Sequence, residues 1–157
     1  MKPSIVTADL YDEFGDQVES VSIQFLSLGA RSRFSGPART IRCFEDNALV
    51  KSILSEPGNG AILVVDGGGS LSTALMGDII AQSAVSNGWN GVIINGAIRD
   101  REAMSQLDLG VKALGSNPRK STKTGSGDVD VTLVLDGVAI GPGAMIYCDL
   151  DGILVGS

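Results

Sequence analysis

Asp78, twenty intervening residues (79–98), then Arg99-Asp100 is the spacing in this chain that most invites chemistry. A carboxylate can hold a hard cation or move a proton, and a guanidinium can fork onto a substrate carboxylate. Histidine is absent, so a histidine-ligated zinc site, a Ser-His-Asp triad and a Cys-His pair are excluded together. Any metal must then be held by oxygen ligands, which favours magnesium or manganese. Any general base must be a carboxylate, a lysine, a tyrosine or a water. The lysines are Lys2, Lys51, Lys112, Lys120 and Lys123, and none sits in an apolar run that would desolvate it deeply, which argues against a Schiff-base nucleophile. Cys43 and Cys148 are too few for a disulfide framework and read as buried thiols.

Taken singly, Asp78 and Asp100 are more simply helix caps, since each precedes a helical stretch. The pair gains meaning from the elements that must position it. "AILVVDG" (61–67) and "GVIING" (91–96) are continuous apolar runs, typical of strands buried on both faces. A helix is expected from Asp78 to Asn87, a second short one over "REAMSQLD", and a further strand over "GVKALG" (110–115). If the first two strands run parallel, both aspartates lie at the carboxyl ends of neighbouring strands, where α/β sheets place ligands. Helix N-termini would aim N–H donors at the same place. The triplet Gly67-Gly68-Gly69 fits neither GxGxxG nor GxxxxGK[ST] and reads as a tight turn.

Around this centre, Thr7 caps a short helix closed by Gly15, and "GPARTIRCF" (36–44) is a strand with Gly36-Pro37 as its turn signal. Asp46 or Asn47 caps a helix over "ALVKSILSE", with Leu49, Ile53 and Leu54 on one face and Pro57-Gly58 as its end. The polar, basic stretch 116–128 reads as an exposed loop. Beyond Asp128 come short strands, with Asp-Gly at 136–137 and 151–152 as hairpin signals. The expected class is α/β, a central mixed, mainly parallel sheet with flanking helices and a β-rich C-terminal half, all in one domain over 1–157.

Composition narrows the partners. A net charge of -6 opposes a general affinity for nucleic acid, and seven aromatics make a base-stacking platform a poor expectation. Arg31, Arg33, Arg39 and Arg42 are expected on a solvated or subunit-contact surface, and Trp89 in a core or interface. No apolar run spans a membrane, and acidic residues by position 12 do not suit a signal peptide, so a cytoplasmic protein is expected.

The aspartate-x20-Arg-Asp spacing resembles the signature of the RraA-like family, which includes class II 4-hydroxy-4-methyl-2-oxoglutarate aldolases. "RFSGPARTIRCFEDN" (33–47), "ILVVDGGG" (62–69) and "GVIINGAIRD" (91–100) are similar to the family as well. The resemblance implies a swivelling β/β/α fold, a homotrimeric ring, a divalent metal (Mg2+ or Mn2+) and a small keto-acid substrate. It implies cleavage to pyruvate and a second keto acid, with oxaloacetate decarboxylation at the same site. By position, Asp100 would be the metal residue, Arg99 the contact to pyruvate carboxylate or enolate, and Asp78 the group that positions a water for proton transfer. Gly77, Asp78, Ile79 and Ile80 would line the substrate pocket. The family motif often has a glycine where this chain has Ala74. The same family holds a protein inhibitor of ribonuclease E, whose members are similar in "CFEDN" and "VVDGGGS" but lack the metal-site acids. The alternative reading is therefore a ribonuclease E regulator.

Overall fold

The computed structural model describes residues 5–156. In chain order, α1 (Thr7–Phe14) leads to β1 (Val18–Val21), β2 (Leu26–Ser27), β3 (Phe34–Arg42), α2 (Ala48–Leu54) and β4 (Ile62–Asp66). Next come α3 (Asp78–Ser86), β5 (Gly91–Ile98), α4 (Arg101–Met104) and β6 (Gly110–Ser116). The C-terminal part is all strand: β7 (Asp128–Val129), β8 (Leu133–Leu135), β9 (Val138–Ile140), β10 (Met145–Cys148) and β11 (Ile153–Gly156).

The apolar runs form the middle of a nine-stranded sheet ordered β1-β11-β10-β3-β4-β5-β6-β2, with β7 also pairing β3. β3, β4, β5 and β6 are mutually parallel, and the outer pairings are antiparallel. Alternation along β4 explains why its sequence is apolar from Ile62 to Val65. Leu63 and Val65 pack with Val50 and Leu54 of α2 and Ala81 and Ala84 of α3. Ile62 and Val64 point the other way, against Leu133, Leu135, Val138 and Ile140 of the β8–β9 hairpin. The layering is therefore β/β/α, with α2, α3 and α4 on one face. Among the described residues no helix is long and apolar enough to cross a membrane.

The Asp136-Gly137 turn is a two-residue hairpin with both φ values positive, as its sequence requires. The β10–β11 hairpin turns over 149–152. Several local expectations are corrected. Gly36-Pro37 is not a turn but lies inside β3, where a Cβ at Gly36 would collide with the Gly60 carbonyl oxygen. Thr7 does not cap α1, whose cap position is Val6, because its amide and hydroxyl both donate to the buried Asp149 carboxylate at 2.7 Å. α2 stops at Leu54, before Pro57, and buries Val50 more fully than Leu49. α3 ends at Ser86, and β5 runs on to Ile98.

Lys112 is the clearest departure. It is 1% exposed in β6, and its Nζ donates to Ser27 Oγ at 3.0 Å. The segment around Phe25 and the turn at Leu150 close over it, and burial lowers its pKa. Its strand neighbours are too few to reveal this, since the cover comes from both ends of the chain. Trp89 is in the core, with its ring against Gly58 and its Nε1–H donating to the Glu56 carbonyl. Arg31, Arg39 and Arg42 pair with Asp108, Asp130 and Asp128 at the surface, which spends their charge locally.

Candidate active site

Because β4, β5 and β6 are parallel, the segments that follow them emerge at one end of the sheet. The segment 74–76 does not leave that end. It runs beside the last residues of β5, with Leu75 N–H donating to Ala97 O and Arg99 N–H to Met76 O. Ala74 N–H donates to Arg119 O on its other side. This added ladder, where β5 and β6 shift register between Ile94 and Ala97, brings the start of α3 against the end of β5.

The close approach needs Gly77. A Cβ there would lie 2.7 Å from Asp100 Oδ2 and 3.3 Å from Arg99 Cγ and Nε. Asp100 adopts the left-handed conformation (φ 63°, ψ 46°), which ends β5 and turns its side chain away from α4. Its Oδ2 accepts the backbone N–H of Asp78 at 3.0 Å. The capping expectation is thus corrected at both acids. Asp78 is the first residue of α3 and makes no side-chain cap, while Asp100 serves the neighbouring helix instead of its own.

The result is a cleft of about 190 Å³ lined by Gly77, Asp78, Ile79, Ile80, Arg99 and Asp100 on one side. Asn47 and Lys51 of the α2 region and Ala74, Lys120, Ser121 and Lys123 complete its wall. The structure thus brings all six residues singled out in the sequence to one place. The Asp78 carboxylate has no hydrogen-bond partner among the described residues, and one oxygen of Asp100 is also open. The Ile79 and Ile80 amides lie in the first turn of α3, where helical N–H groups lack an intrahelical acceptor. Arg99 is exposed, with its guanidinium steadied by the Pro118 carbonyl at 3.4 Å.

Lys51, Lys120 and Lys123 also line the cleft, although the aspartate-x20-Arg-Asp spacing does not point to them. The 116–128 stretch was expected to be a plain exposed loop, yet 120–123 is a wall of the cleft. Its composition gives no signal of this, because its anchors lie far away in sequence: Ser121 Oγ donates to Ala74 O, and Thr122 and Thr124 bond Asp46. A larger cleft, about 350 Å³ between α1, β1 and β11, has Asp12 and Asp151 as its only charged lining residues. An acidic lining without a cation does not suit an anionic substrate.

A family model described as RraA-like (Aldolase/RraA) matches residues 7–155. The chain belongs to the RraA-like family. Among solved structures, a Geobacillus kaustophilus HTA426 protein named S-adenosylmethionine: 2-dimethylmenaquinone methyltransferase is 45% identical, with a TM-score of 0.95, covering 97% of this chain and 94% of that one. The RNA-processing inhibitor RraA from Thermus thermophilis is 46% identical, with a TM-score of 0.93 and coverage of 99% and 93%. Streptomyces coelicolor RraAS2, described as an unusual member of the RNase ES inhibitor RraA family, is 28% identical, with a TM-score of 0.75 and coverage of 94% and 76%. The RraA-like fold thus extends over almost the whole chain.

Proposed function

We propose that this RraA-like protein is a divalent-metal-dependent lyase that cleaves 4-hydroxy-4-methyl-2-oxoglutarate to pyruvate and also decarboxylates oxaloacetate. The observation that carries the reading is the convergence of a free Asp78 carboxylate, the Arg99 guanidinium, a half-free Asp100 carboxylate and open α3 amides on one cleft.

Asp100 is exposed and offers one open oxygen. Among the described residues there is no cluster of three or more acidic or thiol ligands, so Asp100 would hold a cation whose other positions belong to water and substrate. That donor set fits magnesium or manganese, which keep several waters. The metal, when bound, would supply Lewis-acid stabilisation of enolate charge.

The chain's own groups account for the rest. Arg99 takes the substrate carboxylate in a two-pronged contact, and the Ile79 and Ile80 amides offer further donors to the anion. Asp78 holds a water that removes the substrate hydroxyl proton. The deprotonated oxygen becomes the keto oxygen of one pyruvate as the carbon–carbon bond breaks, the bond's electron pair forms the enolate of a second pyruvate, and a proton returned to carbon completes it. Oxaloacetate reaches the same enolate by losing carbon dioxide, without that first proton transfer. Pyruvate release by purified protein, measured with both substrates before and after chelation, tests the reading. Metal-dependent release supports it, and no release from either substrate overturns it.

A homotrimer belongs to the same proposal. Phe44, Leu71 and Ile79 are exposed apolar residues on the segments that follow β3 and β4, at the cleft end of the sheet, and they suit a subunit contact. Light scattering at micromolar concentration would give a trimer mass, and a monomer would refute this part.

A second reading, inhibition of an RNA-processing ribonuclease through the protein's surface, is favoured by the 46% identity to the Thermus RNA-processing inhibitor RraA. It predicts ribonuclease inhibition that survives loss of Asp78 and Asp100. A methyltransferase reading has less support. The Gly67–Gly69 turn uses its own amides, two on the Asn95 carbonyl and one on Asp66, and so offers no phosphate or nucleotide cradle.

A further inference from the structure

The protein carries a net charge of -6, yet four cations, Lys51, Arg99, Lys120 and Lys123, face two carboxylates in this cleft. A substrate with one carboxylate needs one of them. Arg99 stands beside Asp78 and Asp100 on the β5–α3 side, whereas the lysines come from α2 and the 120–123 wall. The ammonium groups of Lys51 and Lys120 have no partner among the described residues, and that of Lys123 is steered by Asn47 Oδ1 at 3.1 Å.

The wall is held by a buried carboxylate that the reaction itself does not use. Asp46 is 1% exposed, and its two oxygens accept Thr122 Oγ1, Thr124 N, Thr124 Oγ1, Gly125 N and Ala48 N. The Glu45 carbonyl takes the Thr122 amide, and Asn47 N–H donates to the Thr122 carbonyl. The segment Glu45–Asn47 is therefore a clasp between the start of α2 and the lysine-bearing wall. Five donors on one carboxylate fix that wall far more firmly than its Gly-, Ser- and Lys-rich sequence would by itself.

We propose that Lys51, Lys120 and Lys123 form a second anion subsite that takes the distal carboxylate of a dicarboxylic 2-keto acid, and that Asp46 is its positioning residue. The keto-acid part rests on the lyase reading; the two-site charge arrangement does not. Clustered cations in a cleft discriminate a dianion from a monoanion by direct pairing and by the field of the cleft.

The test is binding, not turnover. Calorimetric titration of the full-length protein, with and without magnesium, compares 2-oxoglutarate, which lacks the hydroxyl needed for cleavage, with monocarboxylic 2-oxobutyrate. The wild type should bind 2-oxoglutarate at least about tenfold more tightly, the scale of one charge-assisted contact. Lys120→Met/Lys123→Met should remove that preference and leave 2-oxobutyrate affinity within about twofold, which also shows that the variant is folded. Asp46→Asn should weaken 2-oxoglutarate selectively and speed hydrogen exchange at the Thr124 and Gly125 amides. An equal affinity of the wild type for the two acids, or an unchanged preference in the double variant, overturns the subsite. Unchanged exchange in Asp46→Asn overturns the clasp. Selective binding without pyruvate release would leave the subsite standing and remove the lyase reading.

Discussion

The Asp100 carboxylate accepts the backbone N–H of Asp78 at 3.0 Å, so the two acids are tied by the side chain of one and the main chain of the other. That bond leaves the Asp78 side chain free and half-occupies Asp100. Two carboxylates that look alike in sequence are thereby given different positions relative to α3.

Gly77 is the point where this tie is most easily broken. Gly77→Ala places a Cβ against Asp100 Oδ2 and the Arg99 side chain, at 2.7 and 3.3 Å. Both side chains must move, while the core clusters are untouched. We expect kcat/KM for pyruvate release to fall by about two orders of magnitude, the usual consequence of a small misplacement at a reacting centre. The melting temperature should change by only a few degrees. Wild-type kinetics in this variant would show that the packing of Gly77 on Asp100 is irrelevant to activity.

The clasp has a pH signature. Burial alone would raise the Asp46 carboxyl, but hydrogen bonds from Thr124, Thr122 and the Ala48 amide outweigh it and hold it well below the usual carboxylate range. Asp149 is displaced the same way, with burial opposed by Thr7, Asp151 and Gly152. A carboxyl depressed on folding adds stability that is full above its unfolded value, about 4, and is lost as pH falls from there toward the folded value. Asp46→Asn should cost roughly 1–3 kcal/mol at neutral pH by leaving buried donors poorly matched. Its deficit should shrink as pH falls below about 4, because only the wild type loses the charged carboxylate. Denaturation curves that stay parallel from pH 7 to about 2.5 would contradict the role given to Asp46.

Both cysteines should be inert in the folded protein. Burial, first of all, pushes the thiols of Cys43 and Cys148 up to about 12, and each is almost fully enclosed. A thiol-exchange reagent at pH 8 should therefore label neither cysteine until denaturant is added. Rapid labelling of one cysteine under native conditions would place it at an opening that the fold does not contain.

What could be read from the sequence was what depends on near neighbours. The buried strands β4, β5 and β6, the start of α3 and the Asp136-Gly137 hairpin follow from local periodicity and turn chemistry, whereas the gathering of Asp78, Arg99 and Asp100 follows only once the strands pair in parallel and the resemblance to the RraA-like family is added. The parts that were missed depend on partners far along the chain. Thr7 serves Asp149 instead of its own helix, Gly36 sits inside a strand because Gly60 crosses it, and Lys112 is covered by Phe25 and Leu150. The 120–123 wall looks like solvent-exposed loop because its anchor, Asp46, lies more than seventy residues earlier. A capping motif read at Asp46 or Asn47 found the right place, where Asp46 does accept the Ala48 amide, but only part of its work.

The most direct test of the account is the ratio of two rates in one variant. In Asp78→Ala, aldol cleavage should fall by about two to four orders of magnitude, the scale of a lost general base. Oxaloacetate decarboxylation should fall much less, since its enolate forms without removal of a hydroxyl proton. Asp100→Asn, which tolerates the same left-handed backbone, should depress both reactions together, as should Arg99→Lys, whose ammonium lacks the two-pronged contact. Steady-state rates for the two substrates, measured side by side at saturating magnesium, give the ratio. A shift of tenfold or more toward decarboxylation in Asp78→Ala alone is the predicted result, on the order of a single lost catalytic contact. Equal losses in the two reactions would mean that Asp78 only shapes the cleft, and no loss in either would remove the catalytic reading altogether.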